Sequence, residues 1–237
     1  MTPTLQQWTS LGAGFNTAPA PGAIDIERLL LRTAEAALDS ARLFIMAASW
    51  LHTYAETVAR HRLSRLIDDE LDQQHWPALG LLLDIAQQGS FPPRFKSITD
   101  DLPPSAEPRP LFIAEQRTSA LRKRAERRAS DLSRHWNLWC EAIDLNPDAI
   151  RPPSWLFARH PELRTQADFR GDLRASILAS LRHDPGSGSS ELSLARAAGG
   201  SRSQIRNALD NLELTGRVRR TTATRITGTK IQLGVAA

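Results

Sequence analysis

The chain has only one cysteine, Cys140, among its 237 residues. A single cysteine excludes an internal disulfide and is typical of a reducing compartment. Long hydrophobic runs are missing too: the longest, Leu43–Leu51, is interrupted by Ser49 and is far shorter than the ~20 residues that span a bilayer. Residues 1–7 lack the basic region and apolar stretch of a secretory signal. We therefore expect a cytoplasmic protein without a membrane segment.

The residue patterns of catalysis and metal binding are also missing. The six histidines have no partners at metal-ligand spacing, and His135 with Cys140 is too small a set for a zinc site. Neither residues 12–14 nor residues 186–190 have the pattern of a nucleotide-binding loop. We interpret the first as a turn and the second as a flexible linker. We expect no enzyme activity, no metal and no cofactor.

Net positive charge is confined to one part of an otherwise ordinary composition. Hydrophobic residues make up 41% of the chain and charged residues 24%, as in globular proteins of one large domain or two small ones. Residues 171–237 contain 10 Lys/Arg and 5 Asp/Glu, whereas residues 1–170 contain 20 and 21. A compact basic segment indicates a polyanionic partner.

The N-terminal part favours helices joined by proline-rich connectors. Glycine, alanine and proline are frequent near the start, and we interpret residues 1–23 as a loop or arm. Apolar residues recur at helical spacing in residues 24–146. We predict a helical region there for dimerisation, effector response or partner binding, followed by a connector over residues 147–170.

Three features of this helical region concern partners. Residues 111–143 are predicted to form a helical block with an apolar seam near heptad spacing, broken at Arg128, which makes them our candidate for homodimerisation, although packing within one chain gives the same pattern. Within them, Leu121–Arg128 is either a solvated basic helix face or a phosphate-contacting flank. An acidic patch at residues 68–72 is either solvated or meets a basic partner surface.

The six tryptophans fall into two groups. Trp8 and Trp155 border predicted loops and could anchor an interface, since indole rings often bury large areas at contacts. The other four lie on apolar helical faces and are expected in the core: Trp50, Trp76, Trp136 and Trp139.

Three helices are predicted in the C-terminal segment. Asp172 can cap the first, and Ser201 with Gln204 forms a capping box at the start of the third, directly after the Gly199-Gly200 turn. The predicted helices run from Leu173 to about His183, from Glu191 to about Ala198, and from the residue after the Ser201 cap to about Leu214.

The third helix has one apolar and one polar face. Ile205, Leu209 and Leu212 recur at spacings of four and three, which predicts a single buried stripe. The opposite face carries Ser203, Asn207 and Asn211, and it is flanked near the N-terminal end by Arg202, Gln204 and Arg206.

A short β-hairpin is expected after Gly216, which ends the third helix. Val218–Arg220 predicts its first strand, and the second lies within about 225–233. Residues 221–224 would then form the tip.

This arrangement suits duplex DNA. A helix in the major groove contacts bases with its N-terminal residues, where arginine can pair with guanine and asparagine or glutamine with adenine. Asp210 and Glu213 lie on the distal turns, where nearby phosphates would repel them, so the N-terminus should enter first. Four hairpin arginines could contact phosphates or the minor groove: Arg217, Arg219, Arg220 and Arg225.

The order of these elements, with SRSQIRNALDNLELTGRVRR at residues 201–220, resembles the winged helix-turn-helix domain of bacterial transcriptional regulators. The resemblance covers about residues 171–233. Its L-x-x-L-x-x-x-G-x-V pattern is carried by Leu209, Leu212, Gly216 and Val218. It implies base recognition by residues 201–207 and wing contacts by Arg219, Arg220 and Arg225.

We therefore predict a mainly α fold with an N-terminal helical region and a C-terminal winged helix-turn-helix (residues 171–237) with a small β-hairpin wing. The function predicted is a sequence-specific, double-stranded DNA-binding transcriptional regulator such as a repressor, acting as a homodimer. The alternatives are a protein-interaction adaptor, antitoxin-like or accessory to a defence system, and a DNA-processing or replication-initiation protein. The predicted DNA-binding residues are Ser201, Arg202, Ser203, Gln204, Arg206, Asn207, Arg217, Arg219, Arg220 and Arg225.

Overall fold

The protein is mainly helical, as predicted, in a computed structural model that describes residues 2–222 and 229–234. The α-helices are α1 (Thr2–Ser10), α2 (Ile26–Ala36), α3 (Ala41–Tyr54), α4 (Arg60–Glu70), α5 (Trp76–Gln87), α6 (Lys96–Thr99), α7 (Ile113–Gln116), α8 (Ser119–Arg128), α9 (Asp131–His135), α10 (Pro153–Arg159), α11 (Pro161–Asp168), α12 (Leu173–His183), α13 (Glu191–Ala198) and α14 (Arg202–Leu214). The strands are β1 (Arg109–Pro110), β2 (Leu138–Trp139), β3 (Val218–Thr222) and β4 (Thr229–Leu233). Among the helices of the described residues, none combines the length and apolarity that crossing a membrane requires.

Tertiary contacts divide the chain into two compact units. The N-terminal unit comprises residues 1–55 and 70–156, and the C-terminal unit comprises residues 56–69 and 157–237. Nearly all of α4 therefore belongs with the end of the chain, although the sequence places it inside the predicted region 24–146.

Buried tryptophans form the centre of the N-terminal unit, where Trp8, Trp50 and Trp136 are fully buried. Each indole nitrogen donates a hydrogen bond: Trp8 to Thr33 Oγ1 at 2.9 Å, Trp50 to the Leu11 carbonyl at 2.9 Å, and Trp136 to Asp84 Oδ2 at 2.8 Å. Trp8 is thus a core residue rather than the predicted interface anchor. The reason is that residues 2–10 form α1, where the sequence predicted a loop or arm.

Trp136 packs against the middle of α5. A Cβ atom at Gly80 would lie 2.2 Å from Cη2 of the Trp136 indole, so only glycine permits this approach. The glycine costs some helix propensity but allows the large ring to lie directly on the helix backbone.

The prediction of one helical block over residues 111–143 is wrong. The structure has three short helices there, and Ala129 lies between two of them with extended backbone angles (φ −60°, ψ 130°). The side chains of Thr118 and Ser130 accept hydrogen bonds from backbone N–H groups and cap two new helices. Such caps offer the backbone an alternative to one long helix. Further along, β2 pairs in parallel with β1.

In the C-terminal unit, α12, α13 and α14 have the predicted boundaries, and the caps at Asp172 and Ser201 are confirmed. Strands β3 and β4 pair antiparallel from Val218 opposite Leu233 to Thr222 opposite Thr229. Thr221 and Thr222, predicted in the tip, are in β3. Residues 223–228 of the predicted tip and second strand lie outside the described residues. The core of this unit contains Ile177, Leu178, Leu194, Ala195, Ala198, Ile205, Leu209, Leu212, Val218 and Ile231.

The segment 186–190 is packed, so its interpretation as a flexible linker is wrong. The hydroxyl of Ser187 is buried and donates to the Ser180 carbonyl at 3.0 Å. A Cβ atom at Gly188 would lie 2.1 Å from the Ile231 carbonyl oxygen. The small residues of this segment therefore allow a close backbone contact with β4.

Helix α4 is joined to α12 by a buried ion pair. Arg62 is fully buried, and its Nε and Nη2 atoms lie 3.0 and 3.2 Å from the two carboxylate oxygens of Asp184. The Arg62 backbone N–H also donates to Ser176 Oγ at 3.3 Å. Paired and hydrogen-bonded in this way, a buried guanidinium is tolerated in a small core.

Candidate nucleic-acid interface

The N-terminus of α14 is fixed by its capping box. Ser201 Oγ accepts a hydrogen bond from the Gln204 backbone N–H at 3.3 Å, and Gln204 Oε1 accepts one from the Ser201 N–H at 3.0 Å. These reciprocal bonds set the position of the first turn. They also occupy the Gln204 side-chain oxygen, which an adenine contact would require.

The first two turns of α14 present polar side chains to solvent. Ser203 and Asn207 are exposed, whereas Ile205 and Leu209 on the other side are fully buried. The predicted division of this helix into two faces is confirmed at these positions. Asn211, predicted on the polar face, is instead half-buried and accepts a hydrogen bond from Arg174 Nη1 at 3.3 Å.

Arg206 is exposed, and its side chain forms an ion pair with Glu191 of α13. Its Nη2 atom lies 3.0 Å from Glu191 Oε2, and the hydrogen bond to that carboxylate raises the pKa of the Arg206 guanidinium. Exposed ion pairs of this kind contribute little to stability. The guanidinium is therefore a cation that an incoming ligand can take from Glu191 at small cost.

Two of the hairpin arginines have their side chains engaged within the unit. Arg217 Nη1 donates to Thr165 Oγ1 at 2.9 Å, and its guanidinium lies 5.3 Å from the centre of the Phe169 ring. Arg220 Nε lies 2.8 Å from Glu213 Oε2, and Nη2 lies 2.7 Å from Asp210 Oδ1. Hydrogen bonding to Arg220 lowers the pKa of Glu213. These pairs make Arg217 and Arg220 poor candidates for phosphate contacts.

The two remaining hairpin arginines are Arg219 and Arg225. Arg219 is exposed on β3, where its backbone pairs opposite Gln232. Arg225 lies outside the described residues. Of the predicted set, the structure therefore brings together Ser201, Arg202, Ser203, Gln204, Arg206 and Asn207 at one helix end.

Two arginines near this end were missed by the sequence analysis. A shallow groove of about 470 Å³ at the α13–α14 turn is lined by Arg65 of α4 and Arg196 of α13 together with Arg202. Arg196 could have been found from its predicted position one turn before the Gly199-Gly200 turn. Arg65 had no such signal, because its proximity depends on the packing of α4.

The other charged surfaces belong to different parts of the chain. On α8 of the N-terminal unit, Arg122, Lys123, Arg124 and Arg127 are exposed, while Arg128 pairs with Glu141 at 2.7 Å. The residues of the predicted acidic patch are mostly engaged: Asp69 pairs with Arg65 at 3.0 Å, Glu70 with Arg28 at 2.6 Å, and Asp72 accepts from the Gln74 N–H at 3.1 Å.

Among the described residues, no group of three or more His, Cys, Asp or Glu side chains is placed to hold a metal ion. Comparison with known proteins found no matching family model, no matching curated protein and no matching solved structure.

Proposed function

We propose that the C-terminal unit is a winged helix-turn-helix that binds double-stranded DNA, and that the chain is a sequence-specific transcriptional regulator. In this proposal α13 and α14 are the helix-turn-helix, and β3 with β4 is the wing. Helix α14 enters the major groove with its N-terminus first.

The observation that carries the proposal is the two-sided surface of α14. Its apolar stripe is buried in the core of the unit, while Ser203, Arg206 and Asn207 remain accessible on its first turns. These side chains have the donors and acceptors that distinguish base pairs in the major groove. The charge distribution along the helix fits the same orientation, because the carboxylates of Asp210 and Glu213 lie at the far end and are occupied by Arg220.

The intrachain contacts narrow the predicted contact set. Arg217 and Arg220 stabilise the hairpin against neighbouring elements, so we assign the wing's phosphate contact to Arg219. Base recognition is assigned to Ser203, Arg206 and Asn207, and Ser201 with Gln204 holds the helix start.

A dimer is part of the proposal on physical grounds. One helix makes few base contacts, and two copies on a palindromic site would double them and fix the half-site spacing near one helical turn of DNA. The segment 111–143 is not used as the dimer contact, because it forms three short helices in place of the one helical block expected of it.

The proposal is tested by selecting binding sites for the full chain from random duplexes. We expect an enriched, palindromic sequence. Arg206→Ala and Asn207→Ala should each lose about 1–3 kcal/mol of discrimination at particular base positions and little at the others.

Arg164→Ala, which removes an exposed arginine of α11, is the matched control and should change no base preference. Selection without an enriched sequence would overturn sequence-specific recognition. Equal losses at every base position in Arg206→Ala and Asn207→Ala would overturn the assigned contacts.

The adaptor and the replication protein remain alternatives without a structural observation in their favour. Two of the four acidic residues that suggested a protein partner, Asp69 and Glu70, are paired with arginines within the chain. Binding that is insensitive to salt would point to the adaptor, because DNA affinity falls steeply as the salt concentration rises.

A further inference from the structure

The groove at the α13–α14 turn is a concentrated cationic surface built from three helices. Arg65 comes from α4, Leu192 and Arg196 from α13, and Arg202 from the first turn of α14. Among the described residues that line it, none is acidic. Three guanidinium groups at one depression favour an anion with several oxygen acceptors.

The hydrogen-bonding state of these arginines leaves donors for a ligand. Arg196 and Arg202 are exposed, and neither has a side-chain hydrogen bond or ion pair with any residue the structure describes. Arg65 pairs with Asp69 through Nη2 at 3.0 Å, but its Nε is buried and has no partner within the described residues. The donors of Arg196 and Arg202 are therefore available to an anion in the groove.

Glycine at position 199 allows α4 to lie close to this turn. Gly199 has a left-handed backbone (φ +78°), and a Cβ atom there would lie 2.3 Å from the His61 carbonyl oxygen and 3.5 Å from the Cβ of Arg65. The close approach is therefore built into the chain at this position. It places a side chain of residues 56–69 next to the start of the proposed recognition helix.

The backbone at the start of α14 adds to the positive potential of the groove. First-turn amides of α14 have no acceptor within the helix, and the helix dipole makes this end positive. Ser201 and Gln204 satisfy each other through the capping box, and the N–H groups of Arg202 and Ser203, in the first turn, have no acceptor within the helix. Together with the arginines they favour a phosphate at this end.

We propose that the groove of Arg65, Arg196 and Arg202 binds a DNA backbone phosphate beside the major groove that α14 enters. This inference rests on the proposed function and extends it, because it makes α4, far away in the sequence, part of the DNA interface. Arg65 is then a contact that positions the duplex without distinguishing bases.

The test measures duplex affinity of the full chain at several salt concentrations by fluorescence anisotropy, on the selected site and on a random duplex. Arg65→Gln and Arg196→Gln should each weaken both complexes about three- to tenfold and make the salt slope shallower by about one. Arg164→Gln removes the same charge outside the groove and should leave affinity and slope unchanged.

Two further variants separate binding from folding. Arg65→Lys keeps the charge and should keep the salt slope. Asp69→Asn removes the carboxylate paired with Arg65 and should tighten binding about two- to threefold, because the local potential becomes more positive. A purely structural role for this ion pair predicts no tightening.

The two proposals fail in different ways. Unchanged affinity and slope in Arg65→Gln, together with base-specific losses in Arg206→Ala, would overturn the phosphate groove and leave the recognition helix standing. Failure of the unmodified chain to bind any duplex would overturn both.

Discussion

The two units of this chain differ in their tryptophans. All six tryptophans lie in residues 1–55 and 70–156, and the C-terminal unit has none. The N-terminal unit buries hydrogen-bonded indoles among its aliphatic side chains, whereas the C-terminal unit has a core of Leu, Ile, Val and Ala and, in addition, a buried ion pair.

Charge follows the same division. The C-terminal unit has 16 Lys/Arg against 10 Asp/Glu, and the N-terminal unit has 14 against 16. The excess comes almost entirely from residues 171–237, with 10 Lys/Arg against 5 Asp/Glu, since residues 56–69 are balanced (3 against 3) and residues 157–170 add one positive charge (3 against 2). The difference in tryptophans also provides a probe, because tryptophan fluorescence reports only the N-terminal unit and far-ultraviolet circular dichroism reports both.

The largest effect is expected from Trp136→Ala, which removes a fully buried ring from the N-terminal unit. The loss of packing, with Asp84 left without its indole donor, should lower the free energy of unfolding by about 3–5 kcal/mol. Denaturant unfolding followed by the fluorescence of the other tryptophans measures it. Phe91→Ala, at a side chain that is 96% exposed, is the control, and equal effects of the two changes would contradict the core assignment.

Breaking the ion pair tests the corresponding element of the C-terminal unit. Arg62→Met leaves the mostly buried carboxylate of Asp184 without its partner, and should cost about 2–4 kcal/mol in unfolding monitored by circular dichroism. The double variant with Asp184→Leu should recover most of this loss, because neither charge remains to be desolvated. A double variant as unstable as the single one would show that the pair contributes packing rather than charge compensation.

Two glycines sharpen the comparison within the C-terminal unit. Gly199 and Gly216 both follow helices with positive φ (+78° and +69°), but only Gly199 has a backbone oxygen where a Cβ atom would be. Gly199→Ala should therefore cost about 2–3 kcal/mol and Gly216→Ala about 1 kcal/mol in thermal unfolding. Equal losses of stability in the two variants would mean that α4 does not contact the turn at Gly199.

The smallest effect concerns the thiol of the N-terminal unit. Burial raises the pKa of Cys140 to about 12, so the thiolate that reacts with disulfide reagents is essentially absent at pH 8. The folded chain should react with such a reagent only as fast as it opens, and the urea-unfolded chain should react at once. Rapid labelling of the folded chain would place Cys140 outside the core.

The elements that the sequence predicted well are those with local signals. Asp172, Ser190 and Ser201 each accept a backbone hydrogen bond within a few residues, so the starts of α12, α13 and α14 are encoded where they occur. The failure over residues 111–143 has a related cause. Periodicity suggested one seam, but the caps at Thr118 and Ser130 compete with helix continuation, and apolar spacing alone does not register that competition.

The sequence predicted which face of α14 is exposed, but it did not predict which arginines lie near that face and remain accessible. The exposed turn of α14 follows from the 3.6-residue period, since three buried positions leave the others outward. The engagement of Arg217 by Thr165, and the presence of Arg65 at the groove, follow from no local pattern. In both cases the partners are distant in sequence.

By itself the sequence determined the helical class, the bounds of the last three helices and the polar face of α14, because capping, glycine conformation and helical period act over a few residues. Tertiary structure alone decided that residues 56–69 pack with the C-terminal unit and which arginines stay accessible. The physical reason is that ion pairing, burial and close backbone approach depend on neighbours brought together only by folding.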